Sequence, residues 1–308
     1  MEKTATMTME LALLLTLSTL WGASYTFIKI GVETIPPLTL VAARTLVAGV
    51  LLLAIISWRG LKLPRDRKTW TYFLFQACLN SVLPFTLIAW AERTTDAGLA
   101  AILNSTTPIF AFLITALVTR HEALTGRKLF GVSAGLAGTA LVIGLGALGT
   151  LGQGLWAQLA IVAATICYAG AAVFGRNFRG LDPMMPAAGS LLAGAVILIP
   201  ISIVIDAPWK LSPSLDSIFA LLALAVFSTA LAFVIYFRLV QTLGSVGATA
   251  QAYLRVPIGV AIGVVFLGET LSSTAGLGLA CIMASVIAMT LPARARVRQA
   301  IQSMPPST

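Results

Sequence analysis

Ala97-Gly-Leu-Ala-Ala-Ile-Leu-Asn-Ser-Thr-Thr-Pro108, in the first half of the chain, is matched by Val246-Gly-Ala-Thr-Ala-Gln-Ala-Tyr-Leu-Arg-Val-Pro257 in the second. Gly98 pairs with Gly247 and Pro108 with Pro257, both at an offset of 149 residues. Downstream, Glu122-Ala-Leu-Thr125 matches Glu269-Thr-Leu-Ser272 at an offset of 147, so the second copy has lost two residues between proline and glutamate. Upstream, Ala42-Ala-Arg-Thr-Leu-Val-Ala-Gly49 aligns with Ala187-Ala-Gly-Ser-Leu-Leu-Ala-Gly194, and a weaker match joins Trp21-Gly-Ala to Cys167-Tyr-Ala. The chain is therefore an internal duplication, expected to divide into residues 1–150 and 151–308.

The duplicated unit is built for lipid. Of the 308 residues, 58% are hydrophobic and 10% charged, against about 25% charged in a soluble domain. No Asp, Glu, Lys or Arg lies between Lys128 and Arg176, a stretch with room for two membrane crossings of about 20 residues each. Ten helices are predicted, over 9–31, 38–58, 69–91, 96–119, 126–147, 154–175, 183–205, 216–238, 245–267 and 272–291. Pro36-Pro37, Gly60, Pro64, the glycine run from Gly146 to Gly152, Pro183 and Pro208 mark joints between them. The loops are short and leave no extramembrane domain. Five spans per copy is an odd number, so the second copy enters the membrane upside down. The expected fold is an all-α integral membrane protein, with ten transmembrane helices in two inverted five-helix repeats around a central cavity. Inverted repeats are a construction principle of secondary transporters, with the cargo site near the bilayer midplane.

The formal charge of +9 is a topology signal, not a nucleic-acid footprint. With the N-terminus in the cytoplasm, the inner side holds Lys3, Arg59, Lys62, Arg65, Arg67, Lys68, Arg120, Arg127, Lys128, Arg176, Arg179, Arg238, Arg294, Arg296 and Arg298, fifteen in all. The outer side holds three: Lys29, Arg93 and Lys210. This asymmetry follows the positive-inside rule and puts both termini in the cytoplasm. The first apolar segment is longer than a cleavable signal's core, and no small-residue cleavage site follows it cleanly. Cys78, Cys167 and Cys281 all fall within predicted spans and serve as small apolar residues, with no disulfide framework or metal site.

Trp21-Gly-Ala at the start, Arg44 in helix two, the prolines of helices four and nine, and Gly268-Glu-Thr-Leu271 before a Gly/Ala-rich last helix together carry a family pattern. Over about residues 9–292 the chain resembles the EamA branch of the drug/metabolite transporter superfamily. Within it, the chain looks most similar to bacterial amino-acid exporters of the YddG kind. The resemblance implies a cavity lined by helices of both halves. It also implies export of amino acids, aromatic ones included, or related small metabolites across the bacterial inner membrane by alternating access. It implies a small-molecule cargo and the lipid bilayer as partners, no cofactor, and function as a monomer.

Candidate site residues come from polar groups deep in apolar helices. Arg255 lies near the middle of helix nine, where a charge costs about 2.5–3.5 kcal/mol on insertion scales and needs a wet cavity or a partner. Its guanidinium fork matches a carboxylate; the alternative is a structural role on carbonyls freed near Pro257. Helix nine adds Gln251 and Tyr253, and helix four adds Asn104 and Thr107 just before Pro108. Proline frees a helix carbonyl, and in lipid such groups are tolerated only when buried or lining a water-filled space. Helix three adds Gln76 and Asn80, four apart and so expected on one face, and Pro84. Trp21, Tyr25, Trp90, Tyr168 and Tyr253 are candidate stacking platforms, with packing as the alternative. Pro84, Pro108 and Pro257 are candidate kinks. Arg44, shallower in helix two, is expected to snorkel outward, in a structural or gating role beside Glu33 or Glu92. Gly131, Gly135 and Gly138, with Gly259, Gly263, Gly276 and Gly278, are spaced for close helix packing within the chain, a dimer interface being the alternative.

Absences narrow the function. His121 is the single histidine, and Glu10, Glu92 and Glu269 lie at helix ends. An intramembrane enzyme would need paired carboxylates or a Ser/His constellation in the spans, so no enzymatic activity is expected. Proton coupling has no buried carboxylate relay to use, and transport is expected to follow the cargo gradient. Nucleotide-like, vitamin, drug or phosphorylated cargo, or a passive channel, are the competing readings. Topology is testable directly. In a background lacking Cys78, Cys167 and Cys281, single cysteines near Arg65 and near Lys210 should be labelled from opposite sides of the membrane. Labelling of both from one side overturns the inverted arrangement.

Overall fold

The structure, a computed structural model, describes residues 2–91, 94, 103–119, 125–143, 154–255, 258 and 273–290. They form helices throughout: α1 (Glu2–Gly31), α2 (Pro37–Trp58), α3 (Arg67–Ala91), α4 (Thr107–Leu113, continuing through Ile114–Thr119), α5 (Gly126–Ile143), α6 (Leu155–Phe178), α7 (Met184–Asp206), α8 (Leu215–Thr242), α9 (opening with Gly244–Thr249) and α10 (Ser273–Thr290). Six stretches among the described residues are long and apolar enough to cross a membrane: Thr8–Ile28 of α1, and α2, α3, α6, α7 and α8.

The helix ends follow from local chemistry. Pro37 opens α2, where its missing N–H has no partner to lose. Gly60, at φ +70°, closes it: Gly60 N donates to Ser57 O and Leu61 N to Ile56 O, the paired bonds of a Schellman ending. Asp66 caps α3 by accepting from Thr69 N at 2.8 Å, and Ser214 caps α8 by accepting from Ser217 N at 3.2 Å. The predicted end of helix eight at 238 is corrected: α8 runs to Thr242, so Arg238 lies within the helix and not at its last residue. Its guanidinium Nη2 lies 2.9 Å from Oε1 of Glu10, and Thr242 Oγ1 donates to Oε2 at 2.9 Å. Glu10 is thus buried against α8.

Several helix pairs survive exchange of the two halves. The pairs α2·α7, α4·α9 and α5·α10 map onto themselves, while α1·α8 exchanges with α6·α3 and α2·α8 with α7·α3. The two copies also share a break that periodicity does not show. Residues Cys78–Val82 of α3 and Val226–Leu231 of α8 are π turns, placed at equivalent points of Ser81-Val-Leu-Pro-Phe85 and Thr229-Ala-Leu-Ala-Phe233. A π turn closes i→i+5 bonds, inserting one residue into the helix.

The end of the bundle that carries Glu10 is sealed by aromatic rings. Phe178 packs tilted against Phe73 at 5.5 Å and edge-to-face against Phe237 at 5.8 Å between centroids. Around them Gln76 Nε2 donates to Ala171 O at 3.2 Å, Ser245 Oγ to Ala172 O at 2.8 Å, and Gln241 Nε2 to the carbonyls of Phe178 and Leu181. At the opposite end, Asp206 accepts from the amide and hydroxyl of Thr39, both at 2.8 Å.

Helices α5 and α10 approach through glycine. A Cβ at Gly138 would meet Gly278 O at 2.6 Å, and one at Gly131 would meet Met289 Cγ at 2.8 Å, whereas one at Gly276 would meet nothing within 4 Å. Gly131 and Gly138, with Gly135, whose Cβ would meet Ser285 Oγ at 2.6 Å, therefore form a seam inside the chain; Gly259 and Gly263 lie outside the described residues. Gly138→Val should lower the melting temperature of detergent-purified protein, with overpacking costing about 1–3 kcal/mol. Gly276→Val is the control and should stay close to wild type. Equal melting of the two variants contradicts the seam.

Candidate functional site: a cavity between the two halves

A cavity lies between the two halves and extends toward the end of the bundle that carries Thr39 and Asp206. Its wall is drawn from both halves: Trp21, Ser24 and Ile28 of α1; Leu40, Val41 and Arg44 of α2; Asn80, Phe85, Ile88 and Ala89 of α3; Asn104 and Thr107 at the start of α4; Tyr168 of α6; Phe233 and Tyr236 of α8; and Thr249, Gln251 and Arg255 of α9.

Its cationic groups are held by geometry the duplication creates. Arg255 lies one helical turn beyond Gln251, and its Nε donates to Gln251 Oε1 at 3.0 Å. The guanidinium carbon sits 5.3 Å from the centre of the Trp21 ring, within cation–π range. Trp21 is itself fixed, donating from Nε1 to Ser228 O at 3.1 Å, while Ser228 Oγ donates to Leu20 O at 2.7 Å. Arg44 corrects the snorkelling expectation. It is 3% exposed, its Nε and Nη2 donate to Thr229 Oγ1 at 3.1 and 2.9 Å, and its guanidinium carbon lies 4.0 Å above Phe85. Glu33, its suggested companion, is exposed, and Glu92 lies outside the described residues. The inward turn has a cause in α8: Thr229 Oγ1, in the π turn, donates its own proton to Leu224 O at 2.8 Å, a carbonyl two residues before that turn, and so presents lone pairs to Arg44.

The structure brings Trp21, Asn80, Asn104, Thr107, Tyr168, Gln251, Arg255 and Arg44 to one wall. It does not bring Gln76 or Tyr253. Gln76 and Asn80 part company because the π turn begins between them, at Cys78; Gln76 bonds α6 while Asn80 faces the cavity. Tyr253 is two residues from Gln251, about 200° around a helix at 3.6 residues per turn. It is 0% exposed and donates its hydroxyl to Val132 O at 3.0 Å in the α5 seam. Trp90 is exposed on the outside of the bundle. Pro84 follows the π turn of α3, and Pro108 lies in the first turn of α4, after a break at Ser105-Thr106. The Tyr25 side chain and Pro257 lie outside the described residues. The sequence reading missed Phe233 and Tyr236, whose sign was the aromatic run on α8 and the match of Phe233 to Phe85.

A family model described as the EamA-like transporter family matches residues 8–144 and, again, 155–291. The chain belongs to the EamA-like transporter family. It is accordingly a multi-helix membrane transporter and not an enzyme, and each half matches the family unit separately. Among its relatives is the protein named "Uncharacterized inner membrane transporter YedA" of Escherichia coli (strain K12), 32% identical over 290 residues and 92% of each chain. The "Probable terminal-alkyne amino-acid exporter" of Streptantibioticus cattleyicolor is 26% identical over 291 residues, covering 94% of this chain and 95% of that one. A solved crystal structure, 20% identical, superposes with a TM-score of 0.74 over 92% of this chain and 99% of that one, a likeness of fold.

The cavity wall is open to chemical test. Cysteine at Asn80 or Asn104 should react with small water-soluble thiol reagents in the membrane, and cysteine at Tyr253 should not. Reaction at Tyr253 with none at Asn80 contradicts the placement of these helices.

Proposed function

We propose that the protein is a secondary transporter exporting amino acids, aromatic ones included, or related small metabolites across the bacterial inner membrane. Alternating access between two inverted five-helix halves moves the cargo, both termini are cytoplasmic, and a monomer suffices. The observation that carries the reading is Arg255: a guanidinium in a cavity between the two halves of an apolar bundle, against the face of Trp21. A charge within such a bundle is tolerated where a cavity and a counter-charge meet it, and a cargo carboxylate supplies one. Phe85, Tyr168, Phe233 and Tyr236 supply aromatic wall for the cargo's side chain. The resemblance to YddG-like exporters and the named amino-acid exporter among the relatives support the same cargo class. The inverted arrangement is supported by the odd number of spans in each copy and by the exchangeable helix pairs.

Transport follows the cargo gradient without protons in this reading. Glu10, the buried carboxylate of α1, is held by Arg238 and Thr242 near the end of the bundle, away from the cavity wall.

The test is Arg255→Ala in proteoliposomes of purified protein. Transport of a free amino acid should fall, while that of its amide, already weak, should change little. Arg255→Lys should restore only part of the activity, since a point charge does not reproduce a bidentate fork. Equal loss for acid and amide makes Arg255 structural and contradicts the assignment.

A further inference from the structure

Two residues of the cavity wall carry a buried polar atom that has no hydrogen-bond partner among the described residues: Asn80 at Nδ2 and Tyr236 at its hydroxyl. Both residues are buried, 2% and 4% exposed, and both line the cavity. They come from the equivalent helices α3 and α8, one inside the first π turn and the other five residues past the second. A buried donor without a partner destabilises the protein that carries it. Leucine and phenylalanine would fill the same volumes without that cost. Two such donors on one cavity are therefore suited to an acceptor that arrives with the cargo.

The rest of the described wall carries positive charge and no negative charge. Arg44 and Arg255 donate only. No Asp or Glu side chain is among the described lining residues. Gln251 Oε1 accepts from Arg255. Ser24, Thr107 and Thr249 direct their hydroxyl protons to carbonyls of their own segments, leaving neutral oxygens as acceptors. A free ammonium would enter beside two guanidiniums and meet like charge. A carbonyl oxygen would instead meet Asn80 and Tyr236.

We infer that the cavity selects carboxylates that carry a second carbonyl oxygen, such as N-acyl amino acids, over the free zwitterions, with Asn80 and Tyr236 donating to that second oxygen. The inference rests on the reading of this cavity as the cargo site and narrows the class that the site takes. It makes Asn80 and Tyr236 specificity-determining residues, distinct in role from Arg255.

The experiment is calorimetric titration of the full chain in lipid nanodiscs with phenylalanine and with N-acetylphenylalanine. The acetylated compound should bind about tenfold more tightly, the worth of one or two added hydrogen bonds. Tyr236→Phe and Asn80→Ala should each bring the ratio of the two affinities most of the way to one, whatever either does to phenylalanine binding itself. Tyr236→Phe conserves shape and deletes an unpartnered hydroxyl, so the ligand-free variant should melt at the wild-type temperature or higher, which separates loss of binding from loss of folding. Phenylalanine binding as tightly as its acetyl derivative overturns the inference, as does a preference that survives both substitutions. If the two compounds bind equally and Arg255→Ala weakens both, the cavity remains the cargo site and only the selected class is wrong. If neither binds wild type, the inference fails, and the cargo-site reading falls with it only if Arg255→Ala also leaves transport unchanged.

Discussion

Hydrocarbon offers no hydrogen bonds, so every backbone N–H and C=O in a span must be satisfied from within the chain. The interruption of α8 falls where the protein can answer it. The π turn of α8 is answered by Thr229, whose hydroxyl bonds Leu224 O, and by Trp21, whose indole N–H bonds Ser228 O. Those answers build the site. Thr229, holding the carbonyl, offers its lone pairs to Arg44, and Trp21, fixed by its indole, offers a ring face to Arg255. The breaks near Thr106 in α4 and Ala250 in α9 turn Asn104, Thr107, Thr249 and Gln251 to the same space.

Duplication supplied two equal scaffolds, and substitution made them unequal. Arg44 in α2 corresponds to Gly189 in α7. The space beside Gly189 is taken by the Phe73 ring, part of the aromatic seal at the Glu10 end. Thr229, partner of Arg44, corresponds to Ser81, whose hydroxyl has no partner among the described residues. Phe237, packed on Phe178, corresponds to Ala89, which lines the cavity. Large rings thus close one end, while Ile28, Leu40, Val41, Ile88 and Ala89 carry the cavity wall toward the other. The two cations, Arg44 of the first half and Arg255 of the second, stand at non-equivalent positions, matched in the other copy by Gly189 and Thr106.

Much of this was legible in the sequence. The duplication and the six long apolar spans follow from spacing and composition alone. Gln251 and Arg255, one turn apart, share a face as helical periodicity requires. What stayed hidden depended on contacts between distant residues or on a local change of period. Arg44 turns inward because Thr229 lies 185 residues away in sequence, and Glu10 is buried because Arg238, 228 residues on, reaches it. Gln76 and Asn80 separate because a π turn, which leaves no mark in apolar periodicity, adds one residue between them. Tyr253 carried an aromatic signal that fits a binding platform and a packing seam equally, and the angle from Gln251 decides for the seam.

The account turns on a carboxylate meeting Arg255 inside the bundle. Solid-state NMR of the protein in lipid, with carboxyl-13C phenylalanine or its acetyl derivative and 15N-arginine, measures that contact through dipolar coupling. The expected result is a coupling between the cargo carboxyl and a guanidinium nitrogen that disappears in Arg255→Ala. A bound cargo that shows no such coupling, or a coupling that persists without Arg255, contradicts the account.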